Sequence, residues 1–471
     1  MKELLIGRQK EQQNLEEYLN SDRSEFVAVY GRRRVGKTFL VRQVIDGRTC
    51  FQVTGMESVS IEEQLLNFHL SLRKVYPAAR SCSNWLETFD QLETYLEGMP
   101  EGIKILFFDE LPWFDSAKSG FVSALEHFWN DWASARHDIK LIACGSAASW
   151  MLDNLINNHG GLHNRVTHQM LIEPFTLREC KEYFDAFGFG YGVREIAEYY
   201  MVFGGVPYYL SLMKKEEGVA QNVDRLIFSV TGELRAEKNN LFKSLFKHSE
   251  DYVRIIEALS AKGKGMTRNE LLAATGLHNN ARFSSMLQEL ENCRFIRQYL
   301  PYDDKKRMVS YQLTDPFLHF CYQIQDRCRY QDEHFWTNSL NSPLYYNWCG
   351  LAFEMLCLNH IAQIKSALGI AGVQTAVYSW RTPASAAKGA QIDLIIDRAD
   401  NRVNLCEMKF SRGEYVMDKS EHERLEHRLE SFISYTKTRS SILVTMITSF
   451  GMQRNVHSGI VQNQLELKDL F

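Results

Sequence analysis

The sequence predicts an α/β protein of several domains, and three observations support this. Over the first third of the chain, short apolar runs alternate with amphipathic helical segments, a pattern typical of a parallel sheet with helices on both faces. A purely helical stretch follows, and a last segment again combines apolar runs with helices. A chain of 471 residues is also long for one domain, since domains usually hold ~100–200 residues. We therefore expect three or four domains.

The parallel sheet is predicted from its apolar runs. The strand candidates are residues 26–30, 50–53, 103–108 and 139–144. The helix candidates around them are residues 9–19, 37–45, 61–75 and 121–135. Four to six apolar residues without polar alternation indicate strands buried on both faces.

The remaining chain divides by its pattern of elements. Residues 1–175 hold the sheet, and residues 176–247 contain only helical patterns. Residues 248–325 show three helices followed by two alternating strands, an order that describes a winged helix. Residues 326–471 form the last α/β domain, with strand candidates at 391–396, 403–410 and 441–447.

Composition limits the classes of function. The formal net charge of −4 gives no general positive field for nucleic acid, so any such contact has to be local. No apolar run approaches the ~20 residues that cross a bilayer, and the N-terminus is too polar for a signal peptide. The 10 cysteines include no Cys-x-x-Cys pair, so neither a zinc site nor a disulfide framework is expected. The chain is expected to be cytoplasmic, without a membrane contact.

Residues 31–38 have the spacing of a phosphate-binding loop, Gly-x-x-x-x-Gly-Lys-Thr, between a predicted strand and a predicted helix. Glycines let backbone N–H groups close around phosphate oxygens, and the helix N-terminus adds a partial positive charge. Lys37 is expected to reach the β- and γ-phosphates of ATP, and the Thr38 hydroxyl to bind Mg²⁺. The residues predicted to contact the nucleotide here are Gly31, Arg32, Arg33, Arg34, Val35, Gly36, Lys37, Thr38 and Phe39.

A second predicted strand ends in the acids Asp109 and Glu110, which is the Walker-B pattern. Asp109 is expected to hold Mg²⁺ and Glu110 to polarise the attacking water as a catalytic residue. The strand at 139–144 leads to Ser146, which either senses the γ-phosphate or belongs to a strand-ending turn.

Five motifs in this order resemble the archaeal-type ATPases within the AAA+ and STAND groups of P-loop NTPases, over the chain up to about residue 325. The motifs are residues 4–9 (LLIGRQ), 31–38 (GRRRVGKT), 107–113 (FFDELPW), 144–146 (CGS) and 203–207 (FGGVP).

The resemblance implies a P-loop NTPase sheet followed by a helical lid. It places Ile6, Gly7 and Arg8 near the adenine, and Pro207 of the lid against the nucleotide. Arg165 falls where such ATPases often carry an arginine after the sensor strand. Whether Arg165 acts in cis, acts in trans or only caps a helix stays open.

The predicted winged helix offers residues that suit DNA. Asparagine and arginine can read base edges, and cations in the wing can neutralise phosphates. The alternative is a module that couples the lid to the C-terminal domain, with an ordinary solvated turn. The candidates are Asn279, Asn280, Arg282, Ser284 and Ser285 in the recognition helix, and Lys305, Lys306 and Arg307 in the wing.

In the last domain, Glu407 and Lys409 lie two residues apart on one predicted strand and therefore share a face. If the two strands pair as a hairpin, Asp393 meets Glu407. Two carboxylates suit Mg²⁺ or Mn²⁺, and Glu354 on the preceding helix can complete the ligand set. Asp397 is predicted on the same face as Asp393 and is an alternative ligand.

This set resembles a PD-(D/E)xK nuclease domain, which implies Glu354, Asp393 and Glu407 as metal ligands and Lys409 as a catalytic residue. The sequence as a whole then suggests an ATP-binding and ATP-hydrolysing switch that controls metal-dependent DNA cleavage. The alternative is an ATP-gated DNA- or protein-binding module whose nuclease-like domain is a scaffold. ATP and DNA are the expected partners, and an oligomer stays open.

Overall fold

In this computed structural model, residues 4–116, 118–156, 165–243, 245–246, 248–302, 309–328, 332–382 and 388–471 are described. The chain forms two compact units, Met1–Pro174 and Phe175–Phe471. Within the described residues, no helix combines the length and apolar character needed to cross a membrane.

The first unit is built on a parallel five-stranded sheet. Its strands are β1 (Glu25–Tyr30), β2 (Thr49–Thr54), β3 (Lys104–Asp109), β4 (Ile139–Gly145) and β5 (His168–Leu171). They lie in the order β2-β3-β4-β1-β5, and each neighbouring pair is parallel. The α/β fold class and four of these strands are as the sequence predicts. The edge strand β5 is additional, and only Met170 in it is fully buried.

Helices cover both faces of this sheet. They are α1 (Gln9–Leu19), α2 (Lys37–Val44), α3 (Ile61–Val75), α4 (Trp85–Glu97), α5 (Phe121–His127) and α6 (Ala148–Met151). Alternate side chains of β1 pack into two different hydrophobic cores, Phe26 into one and Val27 into the other. That double burial explains the continuous apolar runs. The single helix expected over 121–135 is wrong in part, because α5 passes into a π turn, Phe128–Trp132, and then a 3₁₀ turn.

The second unit begins with helices. They are α7 (Leu177–Ala186), α8 (Val193–Phe203), α9 (Pro207–Ser211), α10 (Val219–Val223) and α11 (Glu237–Lys243). Next come α12 (Ser249–Lys262), β6 (Met266–Thr267), α13 (Arg268–Thr275), α14 (Ala281–Asn292), β7 (Ile296–Tyr299) and β8 (Ser310–Leu313). The last three strands form an antiparallel sheet in the order β6-β8-β7. Three helices and a hairpin are thus present as predicted, with β6 as an added short strand.

The C-terminal part carries a mixed sheet. Its helices are α15 (Pro316–Gln323), α16 (Phe335–Ser339), α17 (Pro343–Asn359), α18 (Ile361–Ala367) and α19 (Lys419–Thr436). Its strands are β9 (Thr375–Arg381), β10 (Gln391–Arg398), β11 (Arg402–Lys409), β12 (Ser441–Thr448) and β13 (Asn463–Glu466), in the order β13-β12-β11-β10-β9. The hairpin predicted for β10 and β11 is present and antiparallel, whereas β12 and β13 add in parallel.

One large core joins the helices that open this unit to the C-terminal sheet. It contains Phe184 and Phe203 together with Leu394 and Ile447. A buried histidine also connects these parts, since the backbone N–H of Leu177 donates to Nε2 of His360 at 3.0 Å. The start of α7 is therefore fixed by a residue near the end of α17.

Candidate functional site

The loop from β1 to α2 adopts a backbone that glycine allows. Gly31 has φ +143°, and a Cβ there would lie 2.3 Å from the carbonyl oxygen of Ile172. Gly36 has φ +88° and stands directly before Lys37, the first residue of α2. Both glycines of the predicted phosphate-binding motif thus stand where a side chain would strain or collide.

The two polar residues that begin α2 are held by the loop and by β3. Lys37 is buried, and its Nζ donates to the carbonyl oxygens of Gly31 at 3.0 Å and Arg32 at 2.9 Å. The Thr38 hydroxyl donates to Oδ1 of Asp109 at 2.9 Å. Because β1, β4 and β3 are parallel neighbours, their carboxyl ends meet at one edge of the sheet.

The acidic pair after β3 has two distinct environments. Burial raises the pKa of Asp109, an effect that the hydrogen bond from Thr38 opposes and the charge of Glu110 reinforces. Glu110 has φ +48° and accepts two hydrogen bonds from Ser146, one from its backbone N–H at 3.2 Å and one from its hydroxyl at 2.7 Å. The catalytic carboxylate proposed from the sequence is therefore oriented from the end of β4.

An arginine that the motifs did not single out also faces this pair. Arg42, on the second turn of α2, has a guanidinium nitrogen 3.6 Å from Oδ2 of Asp109. Its spacing of four residues from Thr38 places both on one face of the helix. That spacing is the signal that sequence reasoning could have used.

The segment before α1 is tied to the same loop. Gly7 and Arg8 both have positive φ, +63° and +59°. The buried Arg8 guanidinium donates to the carbonyl oxygens of Val35 and Glu173 and lies 3.7 Å from Glu11. Ile6 is half-buried.

The other predicted nucleotide contacts differ in exposure. Arg32 is buried, Arg33 is exposed, and Arg34 and Phe39 are half-buried. Arg165 is exposed. Pro207 is the first residue of α9 in the second unit.

The C-terminal carboxylates come from three elements. The paired register of β10 and β11 ends at Leu394 and Cys406, which directly adjoin Asp393 and Glu407, and the charge of Glu407 acts on Asp393. Glu354 on α17 is close enough for burial, with the charges of Asp393 and Glu407, to raise its pKa to about 8. Burial also raises the pKa of Asp393, which the Lys264 ammonium opposes. Asp397 lies opposite Val403 instead.

Each carboxylate oxygen of Glu407 forms an ion pair with a cation. Lys409 Nζ lies 2.9 Å from Oε1, and the Arg428 guanidinium donates to Oε2. Burial alone would raise the pKa of Glu407, but these two cations lower it. Lys409 also lies 2.7 Å from Glu421 of α19. Glu421 and Arg428 are seven residues apart on α19 and so share a face, although nothing in their sequence indicates that β11 is the partner.

The fit of this cluster to a metal ion is mixed. Three carboxylates from three elements are the oxygen donors that Mg²⁺ or Mn²⁺ prefers. Among the residues that the structure describes, however, no group of three or more His, Cys, Asp or Glu side chains is arranged to hold an ion. Asp393 accepts a hydrogen bond from Gln391 at 2.6 Å, and Glu407 is ion-paired. Side-chain rearrangement is therefore needed for joint coordination.

The predicted DNA-reading residues lie at the exposed start of α14. Asn280 caps the helix by accepting from the Phe283 N–H at 3.0 Å, and Asn279 accepts from Arg268 at 2.9 Å. Arg282 pairs with Asp251 at 3.2 Å. Ser284 and Ser285 are exposed. The wing candidates Lys305, Lys306 and Arg307 lie outside the described residues.

Comparison with known proteins finds similarity in the first half of the chain. Residues 5–213 match the family described as an ATPase domain predominantly from Archaea. This part of the chain is therefore similar in sequence to an ATPase domain of the archaeal type. An uncharacterized protein of Methanocaldococcus jannaschii is 24% identical over 366 residues, which span 77% of this chain and 78% of that protein.

Two solved structures are similar to about two thirds of this chain. The Walker-type ATPase of Pyrococcus abyssi is 20% identical, with 68% of this chain and 96% of that chain covered and a TM-score of 0.49. The ORC2 protein of Aeropyrum pernix, solved as ADPNP–ADP complexes, is 14% identical, with 67% and 93% covered and a TM-score of 0.41.

Proposed function

We propose that this protein is an ATP-hydrolysing switch whose nucleotide state controls a metal-dependent DNA-cleaving centre in residues 326–471. The switch builds on the ATPase domain. The observation that carries the cleavage part is the position of Asp393 and Glu407 at the end of the paired β10–β11 hairpin, with the charges of both acting on Glu354.

At the nucleotide site, the chain's own groups supply binding and orientation. Lys37 exchanges its two carbonyl acceptors for oxygens of the β- and γ-phosphates, and Thr38 with Asp109 would hold Mg²⁺. When bound, Mg²⁺ neutralises charge on the phosphates. Glu110 orients the attacking water and accepts its proton, while the two hydrogen bonds from Ser146 keep the carboxylate in place.

At the C-terminal site, the clustering of three carboxyl groups is the feature that favours a cation. Burial raises the pKa values of Glu354 and Asp393, and a bound cation would favour their ionised forms. Glu354, Asp393 and Glu407 would hold Mg²⁺ or Mn²⁺, which when bound lowers the pKa of a water and offsets charge on a phosphodiester. Lys409, beside Glu407, would orient the water or the scissile phosphate.

A second function, that of a non-cleaving scaffold, is favoured by a different observation. Both oxygens of Glu407 are already paired, with Lys409 and Arg428, and Lys409 bridges on to Glu421. Such a closed network suits a domain that only transmits the state of the ATPase. In that case the winged helix, with the exposed start of α14, carries the contact with DNA or protein.

Thermal unfolding with and without Mn²⁺ separates these two functions. The test uses the Lys37→Ala protein without nucleotide, so that the ATP site draws no metal. We expect Mn²⁺ to raise the free energy of unfolding by RT ln(1 + [M]/Kd), and with it the melting temperature, and Asp393→Ala to remove this rise. Asp185→Ala, at an exposed carboxylate of α7, is the matched control.

Cleavage is then assayed on plasmid, linear and single-stranded DNA, with and without ATP. Cutting that needs Mg²⁺ or Mn²⁺ and is lost in Lys409→Ala supports the nuclease. An unchanged melting temperature, with no DNA form cut in any nucleotide state, rejects it and leaves the scaffold.

A further inference from the structure

A cleft within the second unit leads to the carboxylate cluster. Its empty space is about 760 Å³, a volume that includes open solvent. Lys262, Lys264 and Tyr299 line it from the three-helix, three-stranded part of the unit. Residues 379–381 of β9 line the opposite wall, and Asp393 of β10 is part of the lining. A parallel bridge between Pro301 and Ser379 connects the two walls.

The lining is positively charged although the whole chain is not. It contains the cations Lys262, Lys264 and Arg381 and the carboxylate Asp393. With Glu270, which pairs with two of these cations, the sum is three minus two, or +1, against −4 for the chain. Glu270 fixes two of the cations, with Lys262 at 2.7 Å and Arg381 at 3.2 Å. Lys264 is exposed, and its charge acts on both Asp393 and Glu354.

Among the residues that the structure describes, two buried polar atoms in the lining have no hydrogen-bond partner. Tyr299 is 6% exposed, and its hydroxyl has no hydrogen-bond partner among the described residues. The Oε1 atom of Gln312 is buried in the same way. A buried donor without an acceptor is costly, by ~1–3 kcal/mol. Tyr299 thus brings to the lining of the cleft a hydroxyl that needs an acceptor.

The cleft is an open groove and not an enclosed pocket, since its empty space of about 760 Å³ includes open solvent. An open groove can admit an extended strand. Cations spaced along a groove are how proteins follow the backbone of a single strand.

We propose that this cleft binds the phosphodiester backbone of a single nucleic-acid strand and leads it to Asp393 and Glu354. Lys264 and Lys262 neutralise phosphates, and the Tyr299 hydroxyl donates to a phosphate oxygen. This assignment rests on the proposed cleavage function, which it deepens by naming a strand, and not a duplex, as the substrate. A free mononucleotide shares the phosphate chemistry, and the experiment separates the two.

Fluorescence anisotropy of a labelled ~12-nucleotide oligothymidylate tests the proposal. The protein is the full chain with Lys37→Ala, in EDTA and without nucleotide, so that neither ATP binding nor cleavage interferes. Lys264→Gln should weaken binding about tenfold and reduce the log–log salt slope by ~0.7, the value for one phosphate on a single strand. Tyr299→Phe should weaken it about fivefold, as one hydrogen bond is lost. Lys419→Gln, at an exposed lysine of α19, is the control and should bind as the parent does.

Competition completes the test. Unlabelled single strand should displace the probe, whereas a blunt duplex of equal length and thymidine monophosphate should compete at least tenfold less well. Parental affinity in both Lys264→Gln and Tyr299→Phe overturns the proposal, and so does equal competition by the duplex or the mononucleotide. Strand binding that depends on these residues, in a protein that cuts no DNA, supports the cleft and counts only against the cleavage function.

Discussion

The two charged centres of this protein balance their buried charge in different ways. In the nucleotide site, Lys37, Asp109 and Glu110 each have a hydrogen-bond partner at the same sheet edge. In the C-terminal cluster, Glu354 and Asp393 have raised pKa values, and the cations that oppose them come from distant elements. The first centre is organised by its local motif. The second depends on long-range packing, and burial there disfavours the ionised forms of Glu354 and Asp393.

The largest expected effect is the loss of ATP affinity at the first centre. Lys37→Ala should reduce ATP affinity by ~1,000-fold, because one cation and its charged hydrogen bonds to two phosphates are lost. Titration with a fluorescent ATP analogue measures this. Lys74→Ala, at an exposed lysine of α3, is the control. Parental affinity in Lys37→Ala would show that the loop does not bind ATP.

Removing only the charge of Glu110 should separate binding from chemistry. Glu110→Gln should bind ATP within about twofold of the parent but hydrolyse it ~100-fold more slowly, since the base that accepts the proton is gone. Phosphate release under saturating ATP measures kcat. Glu101→Gln, at an exposed glutamate before β3, should leave kcat unchanged. A parental kcat in Glu110→Gln would assign the base to another residue.

In the second centre, the corresponding change should affect stability. Glu407→Ala leaves Lys409 and Arg428 without their shared acceptor, which should lower the free energy of unfolding by about 2 kcal/mol. Urea unfolding at pH 7 measures it. Glu423→Ala, whose partner Lys419 is 3.8 Å away on an exposed helix face, should change stability by less than ~0.5 kcal/mol. Equal effects in the two variants would mean that the ion-pair network contributes nothing particular.

The smallest expected effect is on the free energy of unfolding and concerns Glu270, which pairs with two cations of the cleft lining. Burial alone would raise the pKa of Glu270, but hydrogen bonds from Lys262, Thr267 and Arg381 lower it to about 2. Because the folded pKa lies below the unfolded value, Glu270 stabilises the fold fully above pH ~4.5, and this contribution is lost as pH falls towards ~2. Glu270→Gln should therefore cost about 1 kcal/mol at pH 7 and nothing near pH 2.

Urea unfolding of parent and variant across this pH range measures the difference. Glu257→Gln, at an exposed glutamate of α12, should stay within ~0.5 kcal/mol of the parent throughout. A difference for Glu270→Gln that is independent of pH would mean that its charge is not what stabilises the wall.

What could be predicted from the sequence follows the same contrast. The long strands β1, β3 and β4 are buried on both faces, so their apolar runs are unmistakable. The strands β5, β6 and β13 have four residues or fewer, which leaves little period to recognise. The strands β7 and β8 are as short but lie within longer alternating stretches of sequence. Helix α4 lies outside the predicted elements, although Trp85, Phe89, Leu92 and Leu96 have helical spacing.

The sites differ in the same respect. Residues 31–38 are contiguous, and Asp109 directly ends a strand, so local pattern is enough to locate them. The partners Arg428 and Glu421 depend on how α19 packs against β11, and Lys264 depends on a turn some 130 residues before Asp393. No local pattern contains that information.

The hydrogen bond between Leu177 and His360 has a consequence for synthesis of the chain. Its two residues are separated by 183 positions. At roughly 5–20 residues per second, about 10–40 s pass on the ribosome between the appearance of one residue and the other. During that interval the apolar faces of α7 and α8 lack the strands and helix that cover them in the large core. The helices that open the second unit should therefore be the part of the nascent chain most dependent on chaperones, and a fragment ending near residue 213, where the family match ends, should aggregate.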